Sequence, residues 1–302
     1  MTILEKKVLS SDGIHELAGK VYLPDGCVKG YLHVVHGMTE HIGRYDNTLR
    51  YFAEQGYVTF AYDHVGHGQT ARNDEELGFF ADKNGWRILV NDVDVFASAV
   101  RKEYGDLPYT LLGHSMGSFI VRLAAREKRP DKLIVMGTGG PNPAAKAGKA
   151  VVSLLKLFGQ AKKPSPMLEK MAFGMYNQRF QDENDKLAWL TKDRAIRAAY
   201  AKDKFCTFHF TVSALGDLIT LNAACNEKSW FTGIPDDLPI LLVSGAEDPV
   251  GDNGTGVKAV NENLLKAGKN VRMVLYENCR HEILNDTCRQ QVLEKMKAFM
   301  EA

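Results

Sequence analysis

Residues 111–117 read Leu111-Leu112-Gly113-His114-Ser115-Met116-Gly117. The string contains G-x-S-x-G directly after an apolar, strand-like run and directly before the helical run Ser118 to Lys128. Such a strand–turn–helix context lifts a serine above the end of a sheet, at a helix N-terminus. Gly113 and Gly117 fit because side chains at those points would collide with neighbouring backbone. A serine hydroxyl is a weak nucleophile at neutral pH and needs a base. Cys279-Arg280-His281-Glu282 follows the last strand-like run, so His281 is the expected base. An acid must orient that imidazole, and Gly245-Ala246-Glu247-Asp248-Pro249-Val250 follows the preceding run. Asp248 is the expected acid, held in extended geometry by Pro249, with Glu247 and Asp252 as nearby competitors. The order Ser, Asp, His suits acyl transfer on a mixed α/β sheet. Two backbone N–H groups must meet the developing oxyanion. Met116, after the nucleophile, and Met38, in His36-Gly37-Met38-Thr39-Glu40-His41, are the expected donors. The side chains of His36, Glu40 and His41 read as braces for that loop. Cys279, two residues before His281, reads as a buried structural thiol.

The elements that would position these residues are legible as alternating runs. Tyr31 to Val35, Tyr57 to Tyr62, Tyr109 to Leu112, Leu133 to Met136, Ile240 to Val243 and Val271 to Tyr276 are nearly continuous in apolar residues, as in strands covered on both faces. Helical spacing fills Asn47 to Gln55, Trp86 to Tyr104 and Gly256 to Ala267. This alternation predicts an α/β fold with a mostly parallel sheet. Ile3 to Ser10 and His15 to Tyr22, flanking Ser11-Asp12-Gly13, predict an antiparallel hairpin at the sheet edge. From Gly139 to Gly216 only helical patterns occur, divided by Pro141, Pro143, Pro164 and Pro166. The expected organisation is a core over 1–138 and 217–302 interrupted by a helical cap over 139–216. Within it, Ala145 to Phe158 is apolar along one side, with Lys146, Lys149 and Lys156 interspersed and Lys162 and Lys163 following. It packs on the core as an ordinary amphipathic helix, or rests on an anionic membrane surface.

A net charge of +1 gives no basic field for a nucleic-acid partner. No run approaches the roughly 18 apolar residues of a membrane span. Met1 to Ser10 lacks the pattern of a signal peptide. Five scattered cysteines without a CxxC pair predict free thiols and a cytoplasmic setting. No metal or cofactor is required by a serine mechanism, and the number of subunits is left open.

Together the strings His36-Gly37-Met38-Thr39-Glu40-His41-Ile42-Gly43-Arg44-Tyr45, Tyr62-Asp63-His64-Val65-Gly66-His67-Gly68, Gly113-His114-Ser115-Met116-Gly117, Gly245-Ala246-Glu247-Asp248-Pro249-Val250 and His281-Glu282 resemble the monoacylglycerol lipase and lysophospholipase group of α/β-hydrolases. Trp189-Leu190-Thr191-Lys192-Asp193 is a weaker match. The resemblance implies the α/β-hydrolase fold, an eight-stranded, mostly parallel sheet with helices on both faces, and a lid over an acyl-binding tunnel. It also implies the triad and oxyanion donors named above, and a small-molecule acyl ester as substrate. Gln69-Thr70 departs from the group's pattern after Gly66-His67-Gly68, and the cap matches loosely. A proline-iminopeptidase-type peptidase and a non-catalytic binding protein share this fold and are the alternatives. Epoxide hydrolases and dehalogenases place an aspartate where this chain has Ser115.

Overall fold

The computed structural model describes residues 1–302. In chain order the elements are β1 (Thr2–Leu9), β2 (Glu16–Leu23), β3 (Gly30–Val35), α1 (Asp46–Glu54), β4 (Tyr57–Tyr62), α2 (Gly85–Tyr104), β5 (Tyr109–His114), α3 (Met116–Glu127) and β6 (Lys132–Met136). There follow α4 (Ala145–Leu157), α5 (Pro166–Phe173), α6 (Arg194–Lys202), α7 (Val212–Cys225), α8 (Lys228–Gly233), β7 (Ile240–Gly245), α9 (Thr255–Lys266), β8 (Val271–Tyr276) and α10 (Arg289–Glu301). Eight strands form one sheet in the order β1-β2-β4-β3-β5-β6-β7-β8. β1 pairs antiparallel with β2, and β2 with β4; every other pairing is parallel.

Period-two alternation sends neighbouring strand residues to opposite faces. Leu111 joins the core beneath α2, α3, α7 and α9, while Leu112 joins the core beneath α1 and α10. Residues of β3, β4, β5 and β7 are buried throughout, which explains their continuous apolar composition. Between β6 and β7 the chain adds no strand, only helices α4 to α8, and position 216 lies within α7. The parallel order places the C-terminal ends of β3, β5, β7 and β8 along one edge, where loops of an α/β sheet collect functional residues.

One expectation is corrected. Cys279 and Cys288 are not free thiols but are paired as a disulfide, with a Cα–Cα separation of 6.5 Å. The chain between them turns back on Asp286, whose carboxylate accepts the N–H of Arg280 (2.8 Å) and of Thr287 (2.8 Å). A nine-residue spacing set by that turn has no signature in sequence. Cys27, Cys206 and Cys225 are free.

Candidate active site

Ser115 occupies the turn between β5 and α3 with φ 55° and ψ −120°. Few non-glycine residues adopt such a conformation, and strain of this kind collects at functional sites. Its neighbours leave no alternative path. A Cβ on Gly117 would overlap the Val35 carbonyl oxygen, and one on Gly113 would overlap the Gly117 carbonyl oxygen. The turn is tied down by Ser115 N–H donating to the Met136 carbonyl (3.0 Å) and Ser118 Oγ donating to the Ser115 carbonyl (2.5 Å).

His281 and Asp248 leave the ends of β8 and β7, which are paired in parallel. The His281 Nδ1–H donates to the Asp248 carboxylate, 2.9 Å from Oδ2 and 3.0 Å from Oδ1. That bond leaves Nε2 as the free lone pair. Asp248 is fully buried and also accepts from Val250 N–H (2.9 Å) and Ser244 Oγ (3.1 Å). Burial alone would push its carboxyl up, but His281 and these donors outweigh it and hold the group below the ordinary carboxylate range. Of the competing acids, Glu247 turns away to Lys192 (3.3 Å) and Arg280 (3.9 Å). Asp252 lines the cavity without bonding the imidazole.

Ser115 and His281 open into one cavity of about 500 Å³. No hydrogen bond joins the hydroxyl to the ring in this arrangement; they share the cavity wall with Met38 and Met116. Neither the Met38 nor the Met116 N–H is consumed by a turn, loop or cap bond. The Gly37 N–H, by contrast, donates to Glu40 Oε1 (2.5 Å). A Cβ at Gly37 would stand 2.9 Å from Ser115 Cβ, so only glycine lets this loop lie against the serine.

Glu40 does more than brace its own loop. It accepts from Tyr45 Oη (2.8 Å) and Arg44 (3.0 Å), and lies 3.3 Å from His114 Nδ1. Burial pushes its carboxyl up, but His114 and Arg44 outweigh this and hold it well below the usual range. Burial in turn lowers His114, yet Glu40 lifts it above the ordinary imidazole value. His114 Nε2 lies 3.3 Å from the His281 carbonyl oxygen. Arg44 grips Glu282 with two bonds of 2.6 Å. Glu40, Arg44 and Glu282 therefore connect the Gly37–Met38 loop, the residue before Ser115 and the residue after His281. Sequence reasoning missed Arg44, His114 and Glu282 as a network, because their partners are up to 238 residues apart.

Trp189 was also missed. Its ring lies 5.2 Å from that of His281, and its carbonyl accepts the His281 N–H (3.4 Å). Leu190 likewise accepts from Glu282 N–H (2.8 Å). The one sequence signal was the Trp189–Asp193 string. His209 is exposed and pairs with Glu169 at 2.7 Å, away from the cavity. The Asp63–Gly68 string is a turn, its carboxylate accepting Ile42 N–H and Gln69 N–H, each at 2.8 Å. Thr70 Oγ1 donates to the Asp63 carbonyl (2.6 Å), so this residue's hydroxyl closes the turn although it departs from the group's pattern. His41, Asp203 and Cys206 could in principle hold a metal ion. The Gly43 N–H donates to His41 Nδ1 (3.3 Å), however, which leaves the proton on Nε2, where it donates to Asp203 (2.9 Å). That tautomer does not ligate through Nε2.

The family described as serine aminopeptidase, S33 matches residues 26–288. A monoglyceride lipase of Rattus norvegicus is 28% identical over 281 residues, covering 91% of this chain and 82% of that protein. A highly thermostable carboxyl esterase from Bacillus coagulans, solved with glycerol, superposes with a TM-score of 0.94 at 31% identity, covering 100% of this chain and 98% of the other. A lipase in an open form superposes with a TM-score of 0.90 at 30% identity, covering 99% and 98%. The single eight-stranded sheet with helices on both faces is the fold these relatives share. With the match running through the Ser115 turn, the Asp248 loop and the His281 loop, the chain belongs to the serine aminopeptidase S33 family of α/β-hydrolases, in its monoacylglycerol lipase-like group of carboxylic ester hydrolases.

Proposed function

We propose that this enzyme hydrolyses esters of a single fatty-acyl chain, of the monoacylglycerol or lysophospholipid kind, through an acyl-enzyme on Ser115. Ser115 Oγ attacks the ester carbonyl as His281 Nε2 takes its proton. Asp248, already bonded to Nδ1, stabilises the imidazolium without itself becoming protonated. The carbonyl oxygen gathers charge against the Met38 and Met116 N–H groups. His281 then protonates the leaving alcohol, and water releases the acid by the same route in reverse order. The segment 139–216 serves as the cap over this cavity.

The observation that carries the reading is the two-sided character of the cavity. Its apolar wall includes Phe119, Phe173, Leu218, Ile219 and Val250. Its polar wall is one bonded cluster: Thr39 Oγ1 lies 3.1 Å from Tyr200 Oη, Tyr200 carries Arg44 on its ring face at 4.8 Å, and Arg44 holds Glu282. An amphiphile with one acyl chain and a hydroxyl-bearing head suits such a site. An aminopeptidase needs a free carboxylate for the substrate's amine. Two of the three acids lining this cavity, Glu40 and Glu282, are already paired with Arg44. The relatives named for monoglyceride and carboxyl ester chemistry favour the same substrate class. The test is a panel of monoacylglycerols of graded chain length set beside aminoacyl arylamides. Turnover of the esters with no arylamide cleavage is expected; arylamide cleavage with inert esters overturns the reading.

A further inference from the structure

The proposed base, His281, is almost shut away from water, with only 2% of its surface exposed. It takes a positive charge each time it accepts the Ser115 proton, and a buried cation needs partners in place of the lost water. In the plane of the ring that partner is Asp248. Two further rings flank it. His114 lies 4.7 Å away, centre to centre, with 38° between the planes. The Trp189 indole lies 5.2 Å away with 36° between the planes, nearer to stacked than to edge-on. The two rings act oppositely on the charge. Burial works against a proton on His114, but Glu40 outweighs it and favours the charged ring, which repels a second imidazolium beside it. An indole presents a negative face and attracts a cation within about 6 Å of its centre.

Trp189 is built into its place. Three consecutive carbonyls run beside the histidine loop: Ala188 accepts from the Arg280 guanidinium (2.6 Å), Trp189 from His281 N–H (3.4 Å) and Leu190 from Glu282 N–H (2.8 Å). The Trp189 N–H donates to Asn177 Oδ1 (3.1 Å), and the Tyr176 ring packs on the indole at 5.1 Å. Backbone and ring together hold the indole against the base. The other charged or titratable groups around His281 are already engaged. Glu40 and Glu282 are held by Arg44, Glu247 by Lys192 and Arg280, and Arg280 by Glu183. Tyr176 and Asp252 belong to the cavity wall. None of these supplies a charge partner for the ring face of His281, and Trp189 does.

We propose that Trp189 is a positioning residue whose ring face stabilises the His281 imidazolium against the charge of His114, and so sets the pH range over which the base works. The role of His281 as base is that of the proposed function, on which this inference rests. Two titrations test it: the acid limb of kcat/KM on a soluble ester, which reports the base of the free enzyme, and the His281 ring signals in NMR of ring-labelled histidine, assigned with His281→Gln. Trp189→Leu should move both down by about one pH unit and lower kcat about tenfold. Trp189→Phe, with a weaker face, should move them about half as far. A smaller side chain also lets the loop shift, so a second series keeps the indole. Biosynthetic replacement of tryptophan by monofluoro- and difluorotryptophan weakens the ring face and preserves its shape. Both titrations should step down with each fluorine in the wild type. They should not move in Trp189→Phe labelled the same way, which retains Trp86 and Trp230. This series stands alone if Trp189→Leu does not fold. A loss of kcat in Trp189→Leu with both titrations unmoved assigns a merely structural role and overturns the inference. Titrations that ignore fluorine, or that move equally in labelled Trp189→Phe, overturn it as well. If no ester is cleaved, the proposed function fails, and the NMR titration still decides whether Trp189 stabilises the charged ring.

Discussion

Ser115 sits where the backbone is most constrained, and the constraint is local. Val35, Gly113 and Gly117 leave one path, which explains why five letters of sequence in the right context locate it. Replacing Ser115 or His281 by alanine should lower ester turnover by about 10⁴ to 10⁶. Asp248→Asn should cost about 10⁴, because the amide would favour the wrong tautomer. Steady-state kinetics with a soluble ester checks each. We propose Glu40 as a positioning residue: its carboxylate holds Gly37 N–H at 2.5 Å, next to the Met38 N–H proposed for the oxyanion. Glu40→Ala should lower kcat by about 10², the scale of an ångström's misplacement of a catalytic group. Glu40→Gln keeps an acceptor for Gly37 and should recover most of that loss. Equal damage in both variants would show that the charge beside His114 matters and the loop geometry does not. Ser115, Asp248, His281 and Met38, the residues proposed to act at the cavity, could be picked out from short motifs because each follows the end of a strand. Glu40, Arg44, His114 and Glu282 could not be read as one network, because it closes only in three dimensions.

At the scale of elements, the chain between β6 and β7 is not uniform. Its later part, residues 177–193, is stitched to the loop that carries His281. Trp189 and Leu190 accept from His281 and Glu282, Thr191 Oγ1 donates to the Asn285 carbonyl (2.8 Å), and Arg280 donates to the Ala188 carbonyl (2.6 Å). Glu183 bridges Arg197 (2.8 Å) and Arg280, two buried guanidinium groups. The bond from Arg280 and that from Arg197 hold the Glu183 carboxyl down at about 2, against a smaller opposing effect of burial. Glu183→Ala should destabilise the fold by about 2 to 3 kcal/mol in urea unfolding, since it leaves both guanidinium groups short of an acceptor. A change below about 0.5 kcal/mol would mean the bridge contributes nothing. The earlier part, α4 and α5, lacks such ties to the histidine loop. The eight strands and helices α1 to α4 and α9 were legible from periodicity to within one or two residues, the central strands because burial on both faces writes continuous apolar runs, whereas α5 to α8 and α10 had no bounds in the sequence. The Cys279–Cys288 pairing was not legible, since it depends on a turn organised by Asp286.

The whole molecule carries a set of buried histidines that the chemistry does not use. His33, His36, His64 and His67 are all buried, and desolvation pushes His33 and His67 down to about 3, His64 to about 4 and His36 well below its ordinary value. The sign follows from linkage. These groups stay neutral in the folded protein but take up protons in the unfolded chain below about pH 6.5. Stability is therefore present above pH 6.5 and falls as pH drops toward the folded values. Four such groups acting fully would cost about 4 kcal/mol between pH 6.5 and 5.5. His114, raised by Glu40, has the opposite sign: it holds its proton more firmly folded than unfolded, so over that window it offsets part of the loss. Urea unfolding at pH 7.5, 6.5 and 5.5 measures the effect; a flat profile would mean water reaches these rings.

The central claim is that Ser115 is the nucleophile and that His281 activates it. Exposure to a fluorophosphonate, followed by peptide mass spectrometry, tests it most directly. One phosphonyl group should appear on the peptide bearing Ser115, be absent from Ser115→Ala, and form at least about 10³-fold more slowly in His281→Ala. An adduct on another residue, or an unmodified Ser115 in a preparation that still cleaves esters, would contradict the account.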